Sequence, residues 1–257
     1  MTDILEPVKP APPVPADARR LCWAVAFVWL ATGVTVLDPF YRAVGHTYLA
    51  RLGLPDWVML VTCAAEVLLG LRVALGPANT WITVLQVGMV LTFTVILGVL
   101  NPRLLVHPFG MLTKNIPLVA VFGTAWLVER GGWTPRALWL LRLGIGAVWL
   151  TEGIFPKILF QQPEELEMVA RCAPAWLVPA AFLVAMGVCE AAAGVGVLLL
   201  RGRPLRWLLG LQLAALLVLP LVAGAFEPWL WVHPFEPLLK NVPIVAGTVA
   251  LLRRSPV

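Results

Sequence analysis

From Leu85 to Ala120 the chain repeats, without a gap, as Leu211 to Ala246. Val106-His107-Pro108-Phe109, Leu112, Lys114-Asn115 and Pro117 return as Val232-His233-Pro234-Phe235, Leu238, Lys240-Asn241 and Pro243. Upstream, Phe27-Val28-Trp29-Leu30-Ala31-Thr32-Gly33 returns as Ala147-Val148-Trp149-Leu150-Thr151-Glu152-Gly153. Glu66 followed by Gly70 returns as Glu190 followed by Gly194. Such self-similarity requires a fold built from two copies of one unit. The units are placed at residues 19–130 and 136–254, after a disordered cytoplasmic tail at 1–18 that is rich in proline and lacks the basic-then-apolar order of a secretory signal.

Composition decides where such a chain can live. Hydrophobic residues make up 60% and charged residues 13%, against roughly 45–50% and about 25% in ordinary soluble domains. A soluble fold of this size cannot hide that much apolar surface, whereas lipid accepts it, so the bilayer is the first expected partner. The formal charge of +5 does not indicate nucleic acid, because the basic residues fall between apolar runs rather than on one polar stretch.

Eight apolar runs are expected to be transmembrane helices: Leu21 to Leu37, Trp57 to Leu71, Thr80 to Leu100 and Ile116 to Val128, then Leu138 to Phe155, Trp176 to Leu200, Leu205 to Phe226 and Val242 to Leu252. The fold class is therefore all-α, a polytopic membrane protein of two four-helix bundles. An even number of spans per unit sets both units the same way up, a parallel repeat. With the N-terminus inside, twelve of the nineteen Lys and Arg residues fall on the inner side, which predicts cytoplasmic termini in a bacterial inner (plasma) membrane.

Few polar groups interrupt the runs. Glu66 and Glu190 lie inside expected helices, where a carboxylate is costly and faces protein or water. Each is either a proton-handling or headgroup-binding group, or a neutral or paired glutamate tying helices together. Gly70 and Gly194, one turn further on, let another backbone approach. Gln86 and Gln212 open the third helix of each unit and suit interhelical hydrogen bonds. Cys22, Cys63 and Cys189 read as apolar packing, Cys172 as a lone outer thiol, and no spacing suits a metal site.

The His-Pro-Phe and Lys-Asn repeats are the sharpest signal. Asn115 and Asn241 suit N-caps, with Pro117 and Pro243 in the first helical turn. The rival reading groups His107 with Lys114, and His233 with Lys240, in outer-side electropositive pockets for an anion or a quinone oxygen. The helices that follow are short: twelve residues separate Lys240 from Arg253, about 20 Å at 1.5 Å per residue. Glu152 breaks the repeat opposite Thr32, and Lys157 has no match in the first unit. Pro163-Glu164-Glu165 marks the start of a short helix lying on the outer surface.

These residues resemble the DoxX-like membrane family. Trp149-Leu150-Thr151-Glu152-Gly153-Ile154-Phe155-Pro156-Lys157-Ile158-Leu159-Phe160 with Pro163-Glu164-Glu165-Leu166 is similar to the first-helix-and-connector pattern of one branch, and Lys240-Asn241-Val242-Pro243 to its fourth-helix start. The likeness covers Arg136 to Arg254 closely and reaches Arg20 to Arg130 through the repeat. It implies a four-helix transmembrane bundle, and an accessory association with quinone-linked redox chemistry or a membrane or periplasmic redox partner. The catalytic residues stay unknown. No heme, flavin or nicotinamide fingerprint argues for an intrinsic cofactor, and quinone is the expected ligand. The competing class is a non-enzymatic scaffold or small-solute carrier.

Overall fold

A computed structural model describes residues 16–172, 174 and 176–255. Among these the chain is all-α. In order, the helices are α1 (Ala16–Thr35), α2 (Pro39–Arg51), α3 (Trp57–Leu75), α4 (Thr80–Leu100), α5 (Asn115–Gly131), α6 (Pro135–Ile154), α7 (Pro163–Cys172), α8 (Pro179–Leu199), α9 (Gly202–Phe226) and α10 (Asn241–Arg254). Two 3-10 turns, Pro102–Val106 and Pro228–Trp231, follow α4 and α9, and a π-helical turn, Phe155–Leu159, extends α6.

Most of the expected tail, residues 1–15, lies outside the described residues. Its last three residues do not: α1 begins at Ala16. Asp17 stabilises that first turn through Arg20 at 3.2 Å and joins it to the end of α10 through Arg254 at 2.7 Å. Other boundaries follow local chemistry. Asp38 caps α2 by accepting the Phe40 N–H at 2.8 Å, Asn79 caps α4 by accepting that of Ile82 at 2.8 Å, and Thr134 caps α6 with Pro135 in its first turn.

Five helices are long and apolar enough to cross a membrane: α3, α4, α6 with its π turn, α8 and α9. A sixth is reached if α1 and α2, bent by 87° at their junction, form one span. The helices α5 and α10, at 17 and 14 residues, are shorter than these. With α1 and α6 they form the middle of the molecule, α5 packing on α1, α6 and α10, and α10 packing on α1 and α6. Val121, Val128, Ile244 and Leu251 are buried there. By contrast α3, α4, α8 and α9 expose large apolar residues such as Leu68, Leu91, Val188 and Leu211 on their outer faces.

The tightest packing pairs α1 with α3 and α6 with α8. Glycine permits it at equivalent positions: a Cβ added at Gly194 would lie 2.7 Å from the Gly146 carbonyl oxygen, and one at Gly70 3.0 Å from the Leu30 nitrogen. These contacts hold Glu66 and Glu190, one turn earlier, on the inward faces of α3 and α8. The open ends of α3 and α8 are closed by arginine. Arg19 donates to the carbonyls of Ala74 and Gly76, and Arg142 to those of Val197, Leu198 and Leu200.

Candidate functional site

Two cavities open beside these helix pairs. The first, of about 270 Å³, is bounded by α1, α2, α3 and α4 and carries Thr32, Tyr41, Cys63 and Glu66 among apolar side chains such as Val28, Met59, Phe93 and Leu97. The second, of about 200 Å³, is bounded by α6, α7, α8 and α9 and carries Glu152, Lys157, Glu165 and Glu190 among residues such as Val148, Met168, Met186 and Leu216.

Neither cavity is closed by its own half of the chain. Pro234, Phe235, Glu236 and Lys240, from the second half, complete the first cavity, while Pro108, Phe109 and Lys114, from the first half, complete the second. The lysines fix this crossover. Lys114 Nζ donates to the Pro237 carbonyl at 2.6 Å, and Lys240 Nζ donates to the Met111 carbonyl at 3.0 Å. Met111 and Pro237 are equivalent positions in the repeat, so the two bonds are images of each other. The asparagines go the other way: Asn115 lines the first cavity and Asn241 the second. Adjacent residues thus serve different cavities, because a helix start turns successive side chains by about 100°.

The asparagines are not N-caps as expected. The helices start at Asn115 and Asn241, after Lys114 and Lys240 in right-handed helical conformation with no side-chain cap. This turns each asparagine side chain sideways. Asn115 Nδ2 donates to Thr94 Oγ1 at 2.8 Å. At the equivalent place α9 has Pro220, which offers no hydroxyl, and among the described residues the buried Asn241 Oδ1 has no partner.

The expected grouping of each histidine with the neighbouring lysine in one pocket is also replaced. The imidazoles line neither cavity. His107 Nδ1 accepts the Phe109 N–H at 3.4 Å and His233 Nδ1 that of Phe235 at 3.2 Å, closing the His-Pro-Phe turn. Burial pushes His107 down to about 4 and His233 down to about 3, which keeps both neutral and Nδ1 free to accept. His233 also packs against Phe40, Trp229 and Phe235.

Glu66 is buried and lines the first cavity, its Oε2 without a hydrogen-bond partner among the described residues. Its counterpart Glu190 stands 3.1 Å from Lys157 Nζ, which also lies 3.6 Å from Glu165 and donates to the Glu152 carbonyl. Burial raises Glu165, on α7, to about 7 against the opposing pull of Lys157. Gln86 and Gln212 stand apart from both cavities. The former accepts from Trp29 Nε1 at 3.0 Å, the latter donates to the Ala193 carbonyl at 3.4 Å, the interhelical role their placement suggests.

Thr32, Tyr41, Glu165 and above all Glu236 belong to the cavities without being singled out by sequence. Glu236 is buried, lines the first cavity and is hydrogen-bonded by Thr32 Oγ1. The gapless repeat holds its signal: it stands where the first unit has Gly110. Thr113 Oγ1 likewise donates to Glu152. Among the described residues no group of three or more His, Cys, Asp or Glu side chains is placed to hold a metal ion.

A model of the DoxX-like family matches the chain twice, at residues 26–123 and 146–249. No curated protein and no solved structure matches it.

Proposed function

Since the chain belongs to the DoxX-like family, as a membrane protein with a duplicated unit, we propose that it binds a lipid-soluble, quinone-like molecule in its two cavities and serves as an accessory subunit to a membrane or periplasmic redox partner. One observation carries this reading: each cavity is walled by apolar side chains and ends in a lysine and buried carboxylates. That pattern fits a ligand with an apolar body and a polar head. Buried acceptor atoms of cavity-lining residues, Glu66 Oε2, Glu165 Oε2 and Asn241 Oδ1, have no hydrogen-bond partner among the described residues, and a headgroup bearing hydroxyls would satisfy them. Lys240 and Lys114 would donate to a carbonyl oxygen of the head. A bound quinone would supply reversible electron and proton uptake; the side chains would orient the head and exclude water.

In this reading α1, α3, α4 and α5, then α6, α8, α9 and α10, are eight spans of two parallel units. The helices α2 and α7 lie on the outer side, and both termini are cytoplasmic in a bacterial inner membrane. Central α5 and α10 need not match the full hydrocarbon thickness, because protein surrounds them. Glu66 and Glu190 line separate cavities, which favours two binding sites over the single shared path that a carrier would need.

Titration of the purified protein with a short-chain ubiquinone analogue, followed by tryptophan fluorescence, tests the proposal. Trp29 reports the first cavity and Trp149 the second. Saturable quenching that loses one component in Lys240→Met and the other in Lys114→Met is the expected result. No saturable signal, or one indifferent to both changes, removes the quinone reading.

A further inference from the structure

We infer that Glu236 and Glu152 are one and the same binding part, a ligand-facing carboxylate beside the loop lysine, supplied from opposite sides of the contact between the halves. The repeat pairs position 32 with 152 and position 110 with 236. In the first cavity the helix position holds Thr32 and the loop position Glu236, and the threonine hydroxyl donates to the carboxylate. In the second the residues are exchanged: the helix position holds Glu152 and the loop position Gly110. A Cβ added at Gly110 would lie 2.7 Å from Glu152 Oε1 and 2.8 Å from Lys114 Cε. The carboxylate of Glu152 therefore occupies the space that a side chain at 110 would enter. Each cavity has one carboxylate at this contact, where two would clash and repel.

The backbone supports the equivalence. Gly110 and Glu236 both take left-handed conformations, with φ of 67° and 49°. Glycine accepts this freely and glutamate does not. Keeping a glutamate there despite the local cost is explained by what its carboxylate does in the first cavity. Each of these carboxyls already accepts from a threonine hydroxyl, Thr32 for Glu236 and Thr113 for Glu152, and keeps further acceptor sites, which suit a head that carries a donor, as the hydroxyl of a hydroquinone does. The choice of hydroquinone rests on the function proposed above; the interchange of positions does not.

The test uses the full chain in lipid nanodiscs, with Thr32→Glu, Glu236→Gly and the double variant. The probe is the reduced, hydroquinone form of a short-chain ubiquinone analogue, and thermal unfolding is followed alongside. Glu236→Gly should weaken binding at the first cavity by about tenfold or more, the scale of one lost buried hydrogen bond. Thr32→Glu should lower the unfolding temperature by crowding two carboxylates, and the double variant should recover both readouts, binding to within about threefold of the starting protein. A double variant that unfolds as early as Thr32→Glu alone, or that is stable yet binds no better than Glu236→Gly, overturns the inference. If the starting protein binds no hydroquinone, the ligand reading fails and the unfolding series alone decides the interchange. The mirrored pair, Glu152→Thr with Gly110→Glu, must show the same rescue in the second cavity.

Discussion

Lys240 Nζ lies 3.0 Å from the Met111 carbonyl oxygen, a contact made by the second half on the loop that closes the second cavity. Lys114 returns it on Pro237. Each lysine therefore holds the opposite loop in place as well as lining a cavity. Lys240→Met leaves the Met111 carbonyl unpaired, and the loss should be about 1–3 kcal/mol. Thermal or denaturant unfolding in detergent should show Lys240→Met and Lys114→Met each destabilising. The double variant should be less destabilised than the sum, since both bonds lock the same loop pair. Strict additivity would mean that the loops are held independently.

Close helix contact at Gly194 makes a second expectation. With the Gly146 carbonyl 2.7 Å from a would-be Cβ, Gly194→Leu must push α6 from α8, at a cost of about 1–3 kcal/mol or more. Gly88, with open space around its would-be Cβ, should accept leucine with a change below about 0.5 kcal/mol. Equal effects at the two positions in an unfolding assay would contradict the packing.

The polar bonds between helices should differ between the halves. Gln86 accepts from Trp29 Nε1 at 3.0 Å, whereas Gln212 only reaches a carbonyl at 3.4 Å. Interhelical hydrogen bonds in membranes average about 0.6 kcal/mol and reach about 1.7. Gln86→Leu should fall near the upper value, because it strands the indole N–H, and Gln212→Leu near or below the mean. The ordering of their unfolding free energies checks this.

Docking of α7 should have a pH optimum. Hydrogen bonds from Arg171 at 2.6 Å and from Trp229 at 3.0 Å hold Glu227 below its ordinary range. A carboxyl lowered in the folded state stabilises above its unfolded value near 4.5, and that contribution is lost as pH falls through the lower folded value. Glu165 has the opposite sign: burial raises it to about 7, so its contribution is full below about 4.5 and declines as pH rises through 7. Protection of the α7 amides from hydrogen exchange, taken relative to the intrinsic rate at each pH, should be greatest between these limits. Glu227→Gln should flatten the acid limb and Glu165→Gln the neutral one; an unchanged profile in both would disconnect these groups from α7.

The repeat, the family and the polar residues inside the helices were all legible in the sequence, because a duplicated pattern in a lipid-compatible chain leaves few alternatives. Glu66, Glu190 and the two lysines stood out as charges in apolar surroundings. What the repeat could not say is which half each copy serves: alignment makes Lys114 and Lys240 equivalent but is silent on their crossing over. The histidines misled for a different reason. His-Pro-Phe offers a donor and an acceptor to either a ligand or its own backbone, and the turn closure through the Phe109 and Phe235 N–H groups is settled by local geometry. Glu236 stayed hidden because, between Phe235 and Pro237, it reads as an ordinary turn residue. Only its correspondence with Gly110, set beside that of Glu152 with Thr32, gives it away.

The short connector between Gly131 and Pro135 joins two halves that each lack the last wall of their own chamber. Severing the chain there would release fragments that keep most of their helices and neither finished site. Pairing the fragments again in one membrane, without the peptide link, would rebuild both sites at once or neither.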